Sequence, residues 1–209
     1  MSIKIPVGRS LRANTRACVV GCPVEEEMHL ACGDMVKIPI NNQYAIYGLV
    51  HDIHIDDDGL VRQLVTTRYI TDAVIEDNRF NRNVPLEISV LFIGYEREGL
   101  ISHLLPPQPP LSLDSMFACT LEEAQRFTTL PKMGYLRHLV YNNDFPITDV
   151  VVAHLQQTAQ AQKQAGQPEW AHNAAQEIIT LLRDNYDLLN QILSALSDSG
   201  LFEEENTRA

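Results

Sequence analysis

The sequence predicts an α+β protein: a small closed, mostly antiparallel β-barrel with an inserted helix, followed by a C-terminal helical hairpin. Three observations carry that reading. From Cys18 to about Leu113, short apolar runs and two-residue alternation are broken by turn residues, the pattern of strands. Gly48 interrupts the longest of these runs, where a bulge or bend lets a sheet curl. From Thr148 the apolar spacing changes to three and four residues, the period of helices.

The first strand expected is Ala17–Cys22, small and β-branched and closed by Pro23. Ahead of it, Arg9, Arg12 and Arg16 form the main basic stretch, read as a solvated N-terminal arm. Met35–Ile40 follows Gly33-Asp34 and places Val36, Ile38 and Ile40 on one face. Tyr44–Ile55 is the strongest strand; alternation puts His51, Ile53 and Ile55 on one side of its end, Asp52 and His54 on the other. Asp56-Asp57-Asp58-Gly59 suits a turn. Leu60–Ile75 changes to helical spacing and predicts an insertion from the barrel wall. Leu86–Tyr95 returns to strand, with Gly99–Leu105 as its hairpin mate.

Pro106, Pro107, Pro109 and Pro110 remove backbone donors and favour extended chain, so they are read as the exit from the barrel. Leu121–Phe127 is helical by its Thr120 cap and by Glu122 and Glu123 in the first turn. One helix runs from about Thr148 to Gly166 and a second from about Glu169 to Ser197. The domain reading is a barrel over 1–115, a connecting segment over 116–147, and the hairpin with an acidic tail over 148–209. The apolar stripe Ile178, Leu182, Leu189, Leu193 and Leu196 either docks on the barrel or forms a seam for a partner helix.

At 45% hydrophobic and 21% charged residues, 209 positions suffice to bury a proper core. A net charge of −11 opposes general binding of nucleic acid, which then needs a local basic patch. Four scattered cysteines and no leader-like start point to a reducing, cytoplasmic setting.

Gly33-Asp34-Met35-Val36 and Ile46-Tyr47-Gly48-Leu49-Val50-His51-Asp52-Ile53, followed by Leu105-Pro106-Pro107-Gln108-Pro109-Pro110, stand in a specific order. In that order they resemble the HAS barrel, the domain shared by HerA-type DNA-translocating ATPases and the catalytic subunits of F-type ATP synthases. Gly33, Asp34 and Val36 match a "GD-hydrophobic-V" opening, Gly48, Val50 and Asp52 a "G-x-V-x-D-I" strand, and the prolines the segment leading towards the motor. The resemblance covers a little over half of the chain. It implies a non-catalytic barrel that packs subunits and contacts partners, and it transfers no catalytic residue.

The chemistry of an ATPase is missing. A phosphate-cradling loop needs G-x-x-x-x-G-K-[ST], and no such stretch occurs. The candidate metal set is Cys18, Cys22, His29 and Cys32, whose thiolates and imidazole suit zinc. Its C-x3-C-x6-H-x2-C spacing lacks paired knuckles, so the cysteines read as small buried hydrophobes. No metal and no cofactor are expected, and no nucleophile elbow is present.

The function expected is therefore a non-catalytic assembly or docking module, self-associating or binding a separately encoded HerA-like ATPase or another DNA-processing partner. The alternative is a nucleic-acid accessory protein, with Arg9, Arg12, Arg16, Arg79 and Arg82 gathered on one surface. An enzyme of unrecognised type is the second alternative.

Overall fold

Strands that are apolar on alternate residues must bury one face, and here they do so by closing on themselves. The computed structural model describes residues 6–23, 30–55, 66–80, 86–142 and 144–202. Its strands are β1 (Gly8–Ala13), β2 (Ala17–Cys22), β3 (Met35–Asn41), β4 (Tyr44–Ile55), β5 (Leu86–Arg97), β6 (Leu100–Ser102) and β7 (Ser115–Ala118). The order β2-β1-β7-β3-β4-β5, with β2 pairing back onto β5, closes a six-strand barrel in which every pairing is antiparallel. β6 lies outside the ring and pairs only with the end of β5, as the expected hairpin.

Cys18, Val20, Val36, Ile38, Ile46, Val50, Val90 and Phe92 fill the interior, together with Met116. Gly48 stands where β4 slips register against β5 between Tyr47 and Gly48. A Cβ there would come within 2.3 Å of Val90 Cγ1, so the site accepts only glycine without movement of the opposite wall. A second slip between Val50 and Asp52 resets the alternation. It sends His51 outward against Phe145 while Ile53 packs on the interior cluster. His51 and Ile53 therefore do not share a face, contrary to the simple two-residue count.

Two closing strands escape the sequence pattern. The stretch read as a solvated arm is β1: Gly8 and Ser10 point inward and Arg9, Leu11 and Arg12 outward. The proline cluster is not the exit from the barrel. The chain passes over it and returns as β7, which joins β1 through Gly8–Met116 and β3 through Lys37–Phe117. A boundary at 115 would cut the barrel at its last strand.

The helices are α1 (Asp72–Phe80), α2 (Leu121–Thr128), α3 (Leu136–Val140), α4 (Ile147–Gln164), α5 (Trp170–Leu181) and α6 (Tyr186–Asp198), with a 3-10 turn at Pro131–Met133. The insertion is helical later than its spacing implies. Residues 60–65 lie outside the described residues, Thr66–Thr71 is turn and coil, and the helix starts at Asp72. β-Branched Thr66, Thr67, Ile70 and Thr71 disfavour helix, and the dipole favours Asp72 in the first turn. In α2 the capping box forms as the sequence implies, with Thr120 and Glu123 capping each other's backbone. The second C-terminal helix is two: α5 ends at Leu181, and Asn185 caps α6 by accepting from the Leu188 amide.

α2 to α6 share one apolar cluster with the outer faces of β3, β4 and β5. Met35, Tyr47, Leu49, Leu91 and Ile93 meet Phe127, Tyr135, Leu136, Val151, Leu155 and Ile178. Trp170 is locked into it by an indole bond to the Thr128 carbonyl at 3.1 Å. Ile178, Leu182, Leu189 and Leu196 are buried in that cluster and Leu193 packs against it. The stripe considered as a partner seam is thus covered by the chain's own fold. No helix among the described residues is long and apolar enough to cross a membrane.

Candidate functional site

The residues that carry the family resemblance are built into the barrel. Gly33 adopts φ +94°, and a Cβ on it would fall 2.7 Å from the His154 backbone nitrogen, so glycine lets α4 lie directly on the turn before β3. The Gly33 amide donates to the Val50 carbonyl at 2.8 Å, and the Val50 amide to the Asp34 carbonyl at 3.0 Å. The Asp34 carboxylate closes the turn by accepting from the Ala31 amide at 2.8 Å. Val36 and Val50 are fully buried. Asp52 lies beyond the bulge, exposed, 3.2 Å from His54.

Two polar networks fasten the helices to the barrel. Glu96 accepts from Lys37 at 3.1 Å, from the Tyr47 hydroxyl at 3.0 Å and from Arg126, tying three strands to α2. Burial opposes the charge on Glu96, yet the bonds from Lys37 and Tyr47 and the charge of Arg126 hold its carboxyl below the usual range. Both carboxylate oxygens are engaged, so Glu96 is spent on structure and offers no free acid or base.

The second network is wholly buried. His154 Nδ1 donates to the Gly33 carbonyl at 3.1 Å, which can only accept, so Nε2 accepts from the Tyr135 hydroxyl at 2.9 Å. Complete burial lowers the His154 pKa to about 4 against the pull of the Gly33 carbonyl, keeping the ring neutral. This imidazole positions α4 and has no route to a substrate.

The cysteines do not converge. Cys18 and Cys22 point into the barrel, Cys32 is exposed, and His29 lies outside the described residues. Burial pushes the Cys18 thiol up to about 12, which suits an inert interior side chain. No group of three metal-ligating side chains occurs among the described residues. The acidic turn Asp56–Asp58 also lies outside them.

The arginines divide as well. Arg9 donates to the Leu113 carbonyl at 3.2 Å and to Ser115 Oγ at 3.1 Å, and Arg12 pairs with Glu87 at 2.9 Å. Arg16 faces solvent between β1 and β2, Arg79 falls in α1, and Arg82 lies outside the described residues. Of the five, the side chains of Arg9, Arg12 and Arg16 are described, and Arg9 and Arg12 are engaged locally.

What the fold does display is the proline segment. Pro106 and Pro110 are buried against the barrel, while Pro107, Gln108 and Pro109 are exposed. In the same stretch of chain Leu100, Leu104, Leu111 and Leu113 stand 76%, 60%, 73% and 66% exposed, too open to belong to the core. The segment is lashed to β1: the Leu113 amide donates to the Ser10 carbonyl at 2.8 Å, and the Ser10 amide to the Asp114 carbonyl at 2.9 Å. Leu113 is held at φ +72°, a left-handed backbone that costs a non-glycine residue about 1–2 kcal/mol. From Gly99 to Leu113 there is no Asp, Glu, Lys or Arg. The strap was legible as proline-rich; its seat beside β1 was not, because β1 itself lacks a strand signature.

In sequence comparison the chain matches no known protein family and no curated protein.

Proposed function

We propose that the chain is a non-catalytic docking module of the HAS-barrel kind, which self-associates or binds a separately encoded HerA-like ATPase. The observation that carries this reading is the strap from Leu100 to Leu113, an uncharged, proline-braced surface that exposes four leucines on a chain of net charge −11. Scattered single leucines are ordinary on a surface, but four exposed within residues 100–113, a stretch with no Asp, Glu, Lys or Arg, favour a contact role. Prolines restrict the segment before binding, so little further ordering entropy opposes association. The strained Leu113, over-determined by bonds to Ser10 and Arg9, fits a segment held for presentation rather than for packing. The barrel core and the helical cluster are already satisfied within the chain, and the exposed leucines of the strap lie outside both, open to a partner.

The test is native mass spectrometry across a concentration series, alone and with a HerA-like ATPase. A defined oligomer or complex is expected, and the double variant Leu111→Asp/Leu113→Asp should lose it while keeping its far-UV spectrum. A monomer at every concentration that leaves the ATPase free would overturn the reading, as would a complex indifferent to the double variant.

A further inference from the structure

On the opposite flank of β1 a cleft of about 480 Å³ opens between the β1–β2 turn, the outward His51 of β4 and the segment before α4. A second recess of about 340 Å³ continues it towards α3, and the two share Arg16, Leu91, Asn142 and Asp144. Three arginines, Arg12, Arg16 and Arg137, line the joined cleft against one described carboxylate, Asp144. On a chain of net charge −11 this is a local gathering of positive charge.

Two of these charges are uncompensated by acids. Arg137 donates to the carbonyls of Gly134 and His103, which fix its guanidinium without neutralising it. Arg16 has no carboxylate within ion-pair distance among the described residues; Arg12 is committed to Glu87. The two histidines add no charge at neutral pH. Burial lowers the His51 pKa against the pull of Asp52 and Asp144, and burial lowers that of His138 against its bond to the His103 carbonyl. The fixed positive charge therefore comes from arginines on two different elements, which suits an anion carrying more than one negative charge and several acceptor oxygens.

The same cleft offers an open ring. Tyr141 is 61% exposed and lines the recess, and its hydroxyl is tethered to the Leu181 carbonyl at 3.0 Å, which holds the ring in place. His51 and Phe145 stack at 4.6 Å and 23° to form the far wall. A held aromatic beside arginines that no carboxylate neutralises is the combination that grips a base and its phosphate together.

We propose that this cleft binds a nucleoside phosphate, with the phosphate against Arg16 and Arg137 and the base on Tyr141. The phosphate ester belongs either to a free mononucleotide or to the phosphorylated end of a nucleic-acid strand. The site is a binding site only, and it borders the docking strap at Leu105, whereas neither Leu111 nor Leu113 lines it.

Calorimetric titration at low ionic strength, where the charge term is least screened, decides the matter. The probes are AMP, adenosine, inorganic phosphate, and oligo(dT) with and without a 5′-phosphate. AMP or the phosphorylated oligonucleotide should bind more tightly than adenosine, inorganic phosphate and the unphosphorylated strand. AMP binding identifies the free nucleotide; binding of the phosphorylated strand without AMP identifies the strand end. Arg16→Ala, at an exposed position that the fold does not need, should weaken the binding probe about tenfold or more, and Tyr141→Ala severalfold. No binding of either phosphorylated probe overturns the proposal. So does inorganic phosphate binding as well as AMP, or affinity unchanged in Arg16→Ala with its spectrum intact.

Discussion

The two halves of the barrel wall are made of the same kind of strand and live in different surroundings. β3, β4 and β5 are covered on the inside by the barrel core and on the outside by the helices, through Met35, Tyr47, Leu49, Leu91 and Ile93. β1, β2 and β7 have the core inside, and outside them lie the strap and the arginine cleft. The difference teaches a division of labour. The covered half supplies most of the packing energy, and the open half carries the surfaces available to other molecules.

Substitutions should separate the halves by size of effect. Phe127 is fully buried and its ring meets Tyr47 at 4.7 Å and Tyr135 at 5.6 Å, so it rivets α2 to the covered wall. Phe127→Ala should cost about 3–5 kcal/mol, measured by urea unfolding. A loss below about 1 kcal/mol would show that the helices do little for that wall.

Acid should strike the same seam. The folded state binds a proton at His154 only near pH 4, whereas the unfolded chain binds it near the ordinary 6.5. Stability from the neutral, buried ring is complete above about 6.5 and is lost as the pH falls towards 4. The total approaches about 3 kcal/mol, and the lowered pKa values of His51, His103 and His138 act in the same direction. Urea midpoints at pH 7.5 and 5 should differ accordingly, and His154→Gln should flatten the difference.

Glu96→Gln keeps the shape of the network and removes its charge. Lys37 then loses its nearest carboxylate while Glu123, at 3.3 Å, remains. A loss of about 1–2 kcal/mol is expected in the same urea assay, shrinking in high salt. At the open wall, Arg9→Ala should change stability by no more than about 0.5 kcal/mol. An effect there as large as that of Phe127→Ala would erase the contrast between the halves.

The same contrast explains what the sequence discloses. β4 is legible to the residue, from Tyr44 to Ile55, because burial on both faces makes Tyr44–Val50 an almost unbroken apolar run. β1, as Gly-Arg-Ser-Leu-Arg-Ala, has one open face, and β7 is only four residues long, so neither offers a run to detect. Their pairing is a long-range fact, absent from any local window. For the same reason Arg12 and Arg16 could be named from sequence, but Arg137, Tyr141 and Phe145 could not be joined to them. The break between α5 and α6 escapes the sequence pattern because the leucine period continues across it; Asn185 is the signal that marks it.

Closure through β7 has a consequence for how the chain comes together. Arg9 meets Ser115 from 106 positions away, and until that meeting β1 and β3 present unpaired edges. Such contacts are slow to form, and open edges invite other strands in the meantime. A fragment ending in the proline segment would therefore be an open, sticky sheet rather than a smaller barrel. The residues from Ser115 onward are the fold's clasp, and the first half cannot be lifted out as a working part.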